Sequence, residues 1–179
     1  MPRDRGENQS LSDREKFIEQ ALEAYESPLI GYASTILSDL DLARDVVQET
    51  FIRLCHQEVS QVESHLKPWL FTVCRNRALD VLRKKNRSHS LDDRQWHSIP
   101  DSGIQPDENA DQTERFAQLG SFLSRLSENQ RDVIILKFQQ GLSYQEIHQI
   151  TGLSSGNIGF LIHSGLKRLR EILPPDLHH

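Results

Sequence analysis

Apolar residues recur at helical spacing through most of the chain. From Glu15 to about Ser38 they are Phe17, Ile18, Ala21, Leu22, Tyr25, Leu29, Tyr32, Ala33, Ile36 and Leu37, which predicts a helix. Ser27-Pro28 is expected to kink or divide it, because the residue before a proline avoids the α region. A second helix is predicted from Asp39 or Asp41 to about Gln57. Its stripe is Leu42, Val46, Phe51 and Leu54, widened by Ala43, Val47 and Cys55, and its other face carries Asp45, Gln48, Glu49 and Arg53. After a polar connection from Glu58 to Ser64, a third helix is predicted from about His65 to Arg87, with Pro68 tolerable in its first turn. Leu66, Trp69, Leu70, Val73, Ala78, Val81 and Leu82 form its inward face. Three helices of this length enclose one small core.

The pattern then breaks. Residues 88–112 mix serines, glycine and prolines with acids, a linker composition in which Trp96 and Ile99 are isolated. Phe116, Leu119, Phe122, Leu123 and Leu126 mark a further helix. Ser127-Glu128-Asn129-Gln130 has the form of a capping box and opens another, with Val133, Ile134, Leu136 and Phe138 inside and Gly141 closing it. Ser143-Tyr144-Gln145-Glu146 repeats the signal for a short helix that buries Ile147 and Ile150 and ends at Thr151-Gly152-Leu153. A last helix runs from about Ser155 to Leu173 on Ile158, Leu161, Ile162, Leu166, Leu169 and Ile172, stopped by Pro174-Pro175. The fold class is all-α: a disordered arm over 1–14, a helical domain over 15–88, a flexible acidic linker over 89–112 and a second helical domain over 113–175.

Composition supports two small units over one large core. Hydrophobic residues make up 36% of the 179, against roughly 45–50% in typical globular chains when Gly is counted. No apolar run approaches a membrane span and the first residues hold no secretory signal, so a cytoplasmic protein without membrane insertion is expected. The net charge is −5, but its distribution matters more. Residues 11–66 carry eleven acids against Arg14, Lys16, Arg44 and Arg53. Residues 67–87 carry Lys67, Arg75, Arg77, Arg83, Lys84, Lys85 and Arg87 against Asp80 alone. Residues 88–115 turn acidic again. Basic charge is thus gathered on one segment, as on a surface that faces phosphates.

Residues 143–170 have the order of a helix-turn-helix, in which a first helix braces a second against the major groove. Ser154, Ser155, Asn157 and His163 are candidates for base edges, and Lys167, Arg168 and Arg170 for phosphates. An ordinary αα-hairpin gives a similar pattern. On the third helix, cations beside Trp69 and Phe71 describe a platform for single-stranded bases; Trp69 packed in the core and a merely solvated basic face are the competing readings. Cys55 and Cys74 fall at apolar positions and read as buried thiols, with a redox switch the less favoured reading. Two cysteines make neither a disulfide framework nor a four-ligand zinc site, and the eight histidines show no ligand spacing. No cofactor is expected, nor any intrinsic enzyme activity, since no nucleophile–base arrangement or phosphate-cradling glycine loop is present.

Three blocks carry a resemblance: DLARDVVQETFIRL at 41–54, PWLFTVCRNRALDVLRKKNR at 68–87 and LSENQRDVIILKFQQGLSYQEIHQITGLS at 126–154. In this order, with a linker between them, the chain resembles the sigma-70 family of bacterial transcription initiation factors in its short extracytoplasmic-function form. The resemblance implies that the 41–54 helix docks on core RNA polymerase through Asp45, Gln48, Glu49 and Arg53, for which a solvated polar face is the alternative. It implies that residues 59–67 and the following helix read melted −10 promoter DNA, through His65, Lys67, Trp69, Phe71, Arg75, Arg77, Arg83 and Lys84. It implies that the last helix reads −35 duplex, through Ser154, Ser155, Asn157, Phe160, His163, Lys167, Arg168 and Arg170, and that an anti-sigma factor is a partner. The chain departs from the family in that helix. Gly159, Phe160 and Leu161 occupy positions where a cation is expected, so Phe160 either touches a thymine methyl or packs inside. A helix-turn-helix regulator acting without polymerase, and a helical adaptor that binds only protein, are the rival functions.

Overall fold

The computed structural model describes residues 4–89 and 121–173, with side chains over 13–87 and 121–173. The linker from residue 90 onward, the first part of the helix expected from Phe116, and Pro174-Pro175 lie outside the described residues. The chain divides into two compact units, Met1–His97 and Ser98–His179. Among the described residues there is no strand.

Among the described residues the first unit has four α-helices: α1 (Asp4–Leu37), α2 (Leu40–Cys55), the short α3 (Val59–Val62) and α4 (Leu66–His89), with a 3-10 turn at Glu63–His65 before α4. Three expectations are corrected here. The helix begins at Asp4, so the backbone of residues 4–14, read as a disordered arm, is helical, and Pro28 lies within α1 without dividing it. Proline removes one helical donor, but Leu29, Tyr32 and Ala33 immediately after it are buried, and their packing holds the helix together across the gap. The supposed polar connection at 58–64 also coils, because Val59 and Val62 stand one turn apart and Val62 is buried.

Ser38, at φ 52, turns the chain out of α1, and the Asp39 carboxylate accepts from the Leu42 N–H at 3.0 Å to cap α2. The same carboxylate faces Lys85 near the end of α4 at 3.9 Å. Helices α1, α2 and α4 all pack on one another. Their shared core is Leu29, Tyr32, Val46, Val47, Leu54, Leu70, Phe71 and Cys74 with their neighbours.

The second unit contains α5 (Glu128–Ile134), continued by a π turn over Ile135–Gln139, then α6 (Tyr144–Thr151) and α7 (Ser155–Ile172). Both capping boxes form, Ser127 with Gln130 and Ser143 with Glu146. Val133, Ile134, Leu136, Leu142, Ile147, Ile150, Ile158 and Ile162 make the core. Phe138, expected inside, is 60% exposed. The π turn explains this: Gln140 donates to the Ile135 carbonyl five residues back, which rotates residue 138 off the apolar face that a 3.6-residue period would give it.

Candidate nucleic-acid interface

On α2, the alternation of apolar and polar positions turns Ala43, Val46, Val47, Thr50 and Leu54 inward and leaves Asp45, Gln48 and Arg53 exposed. Glu49 is held by α4. The Arg77 guanidinium donates to both of its carboxylate oxygens, one at 2.9 Å through Nη2 and the other through Nε. The Arg77 hydrogen bond holds the Glu49 carboxyl below the usual glutamate range, with Arg53 and Lys84 adding smaller contributions against the opposing effect of burial. Two residues assigned to separate faces thus form one fork-to-carboxylate bond. Beside this face a groove of about 400 Å³ between α1 and α2 is lined by Ile18, Leu22, Asp45, Gln48, Ile52 and Cys55. Ile52 is 52% exposed there and was missed in the sequence. Its signal is an apolar residue one turn beyond Gln48 on the polar face.

Along α3 and α4, His65, Arg83 and Lys84 are exposed, while Lys67, Trp69, Arg75 and Arg77 are half-buried. Arg83 reaches Asp80 at 3.3 Å. Phe71 departs from its assignment as a base-stacking residue: it is fully buried, its ring 5.3 Å from that of Tyr32 and inclined at 54°. The reason is the width of the buried arc on a helix covered by both α1 and α2, which takes in 70, 71, 74 and 78. Of the two aromatics read as a platform, only Trp69 keeps part of its surface outside. Cys74 is buried as expected, and burial pushes its thiol up to about 12. Cys55 is instead exposed at the last residue of α2, where its carbonyl accepts from Arg14.

The helix-turn-helix is formed by α6 and α7. Gly152 adopts φ 74, a left-handed conformation open to glycine, and its N–H donates to the His148 carbonyl at 2.8 Å. Leu153 N–H donates to Thr151 Oγ1 at 3.2 Å, and His148 Nδ1 lies 2.8 Å from the Leu153 carbonyl. Ser154 Oγ accepts from Asn157 N–H at 3.3 Å and caps α7. Ile158, Ile162 and Gly165 face inward. Ser154, Ser155, Asn157, Phe160, His163, Lys167, Arg168 and Arg170 are all exposed, so every residue assigned to duplex reading is available on one helix or its cap. Arg125, Lys167 and Arg168, with Gln130, Ser164 and Glu171, line a second concavity that adds Arg125 to the basic set.

The three glycines of α7 have different grounds. A Cβ at Gly165 would stand 2.6 Å from Ile134 Cδ1 and 3.4 Å from Gln130 Cβ, so close packing of α7 on α5 requires a bare backbone. At Gly159 a Cβ would meet the Tyr144 ring at an ordinary 3.7 Å, and at Gly156 it would meet nothing. The helix is continuous through all three, although an interior glycine costs about 1 kcal/mol relative to alanine.

Among the described residues, no group of three His, Cys, Asp or Glu side chains is placed to hold a metal ion, and no helix is long and apolar enough to cross a membrane.

Residues 21–88 match sigma-70 region 2 and residues 116–169 match sigma-70 region 4. Over 154 residues the chain is 30% identical to the ECF RNA polymerase sigma factor SigX of Bacillus subtilis, covering 83% of this chain and 79% of the relative. Over 155 residues it is 28% identical to SigM of the same organism, covering 87% and 94%. Its fold matches, with TM-score 0.74 and 28% identity, the sigma factor RpoE of Bartonella quintana solved in complex with the anti-sigma factor NepR, over 92% of this chain and 99% of that one. With the two regions matched in order, and exposed polar, basic and helix-turn-helix surfaces where they fall, the chain belongs to the extracytoplasmic-function group of the sigma-70 family, polymerase-associated factors that direct transcription initiation to promoters.

Proposed function

We propose that this chain works in the cytoplasm by docking on core RNA polymerase through the exposed face of α2 and reading a promoter in two states. Asp45, Gln48 and Arg53, with the flanking Ile52 groove, meet the polymerase. Trp69, His65 and the cations Lys67, Arg75, Arg83 and Lys84 engage the melted −10 strand, where stacking and phosphate contacts offset the cost of opening the duplex. Helix α7 enters the major groove at −35. RNA synthesis is the work of the polymerase, and this chain supplies specificity alone. An anti-sigma factor holds it inactive, as NepR accompanies the Bartonella relative.

The observation that carries the reading is the pairing of a region 2 unit with a region 4 helix-turn-helix in one chain. A duplex-binding regulator acting without polymerase uses the second and leaves the first without a task. The test is co-elution of the full chain with core RNA polymerase, followed by transcription from a genomic promoter library. Start sites sharing two spaced motifs are the expected outcome; failure of the folded chain to bind core overturns it.

A further inference from the structure

Phe160 is the most exposed large apolar side chain among the described residues, at 67%. It stands on α7 directly opposite the inward face of Ile158, Ile162 and Gly165. At helical spacing, Gly156, Phe160, His163 and Lys167 form one outward stripe, and all four are exposed. The stripe begins at the end of the helix that enters the groove in a helix-turn-helix. A phenyl ring on such a surface can do little with most of what a duplex presents. It donates and accepts no hydrogen bond to a base edge, and it neutralises no phosphate. Bases stacked in a paired duplex offer it no face to stack on. The apolar feature of the major groove is the C5-methyl of thymine.

The glycine one turn before it points the same way. Gly156 has an ordinary helical conformation, and a Cβ there would meet open space. Neither backbone geometry nor packing asks for the poorer helix former. A bare backbone at that place lets a second surface come closer to the stripe.

We infer that Phe160 determines the −35 specificity of this chain by apolar contact with a thymine methyl, and that Gly156 gives the duplex the clearance to reach it. The inference rests on the −35 reading above and names its chemistry: a T·A pair at one position of the element, recognised through its methyl and not through a hydrogen bond. His163 and Lys167 follow on the stripe as partners for a neighbouring base edge and for phosphate.

The experiment begins with the full chain and core RNA polymerase on a promoter library randomised across −35. The selected element is then rebuilt with each thymine replaced in turn by uracil, which lacks only the methyl. At one position uracil is expected to lower transcription about fourfold, the factor that burying one such group carries. The Phe160→Ala chain is expected to show no uracil effect there, and Phe160→Tyr, which keeps the ring, is expected to restore it. A uracil effect of the same size in wild type and Phe160→Ala overturns the inference, as does no uracil effect at any position or a selected −35 element without thymine. Absence of any polymerase-dependent transcription is a different result: it overturns the proposed function, and this inference falls with it.

Discussion

The two units use their aromatic rings in opposite ways. In the first, Phe71 sits on the helix that carries most of the basic charge, yet it is sealed against Tyr32. In the second, Phe138 and Phe160 stand in solvent. A ring's role follows from how many helices cover its own helix, and from whether that helix keeps its phase. Helix α4 is covered by two neighbours and buries a wide arc. The end of α5 loses its phase in a π turn, and α7 is covered on one side only.

The widest separation between the two cases is expected in stability. Phe71→Ala removes a fully buried ring and should cost about 3–5 kcal/mol in urea unfolding, whereas Phe160→Ala should stay within about 0.5 kcal/mol of wild type. Equal effects would break the contrast. A smaller effect separates the charged faces. Glu49→Gln leaves Arg77 without its carboxylate and should cost about 1 kcal/mol or less, given the exposure of the pair to solvent. Because the Glu49 pKa is lowered in the folded chain, this stabilisation is complete above the ordinary glutamate value and is lost as pH falls through the lowered one. The gap between wild type and variant should therefore close in acid, as unfolding midpoints across pH would show. The smallest perturbation is chemical labelling. Iodoacetamide at mildly alkaline pH should modify Cys55 alone in the folded chain, and Cys74 only after denaturation, read as one adduct and then two by mass.

Much of this molecule was legible in its residues. The boundaries of α2, the two capping boxes, the stop at Gly152 and the burial of Ile158 and Ile162 on α7 follow from local signals, because each is decided within a turn or two of chain. What escaped was decided across helices. Phe71 and Trp69 are both aromatic and two residues apart, and only the second neighbour of α4 settles which is core. The Glu49–Arg77 pair joins residues that the sequence assigns to different partners. Cys55 lies on an apolar stripe, but at the last residue of α2, where the covering helices no longer enclose it. The π turn carries no sequence signal of its own, so Phe138 kept the phase of a regular helix. In α7, Gly156 and Gly165 are equally poor helix formers, and only the Ile134 side chain distinguishes Gly165 from Gly156.

The turn between α6 and α7 has a thermodynamic consequence of its own. Thr151, Gly152, Leu153 and Ser154 are tied by short local bonds to His148, to Asn157 and to one another. The freedom of that bend is surrendered when the unit folds, before any duplex is present. On the proposed −35 reading, association has little left to order at the bend, so the contacts made by α7 go into holding DNA and not into shaping the protein that holds it.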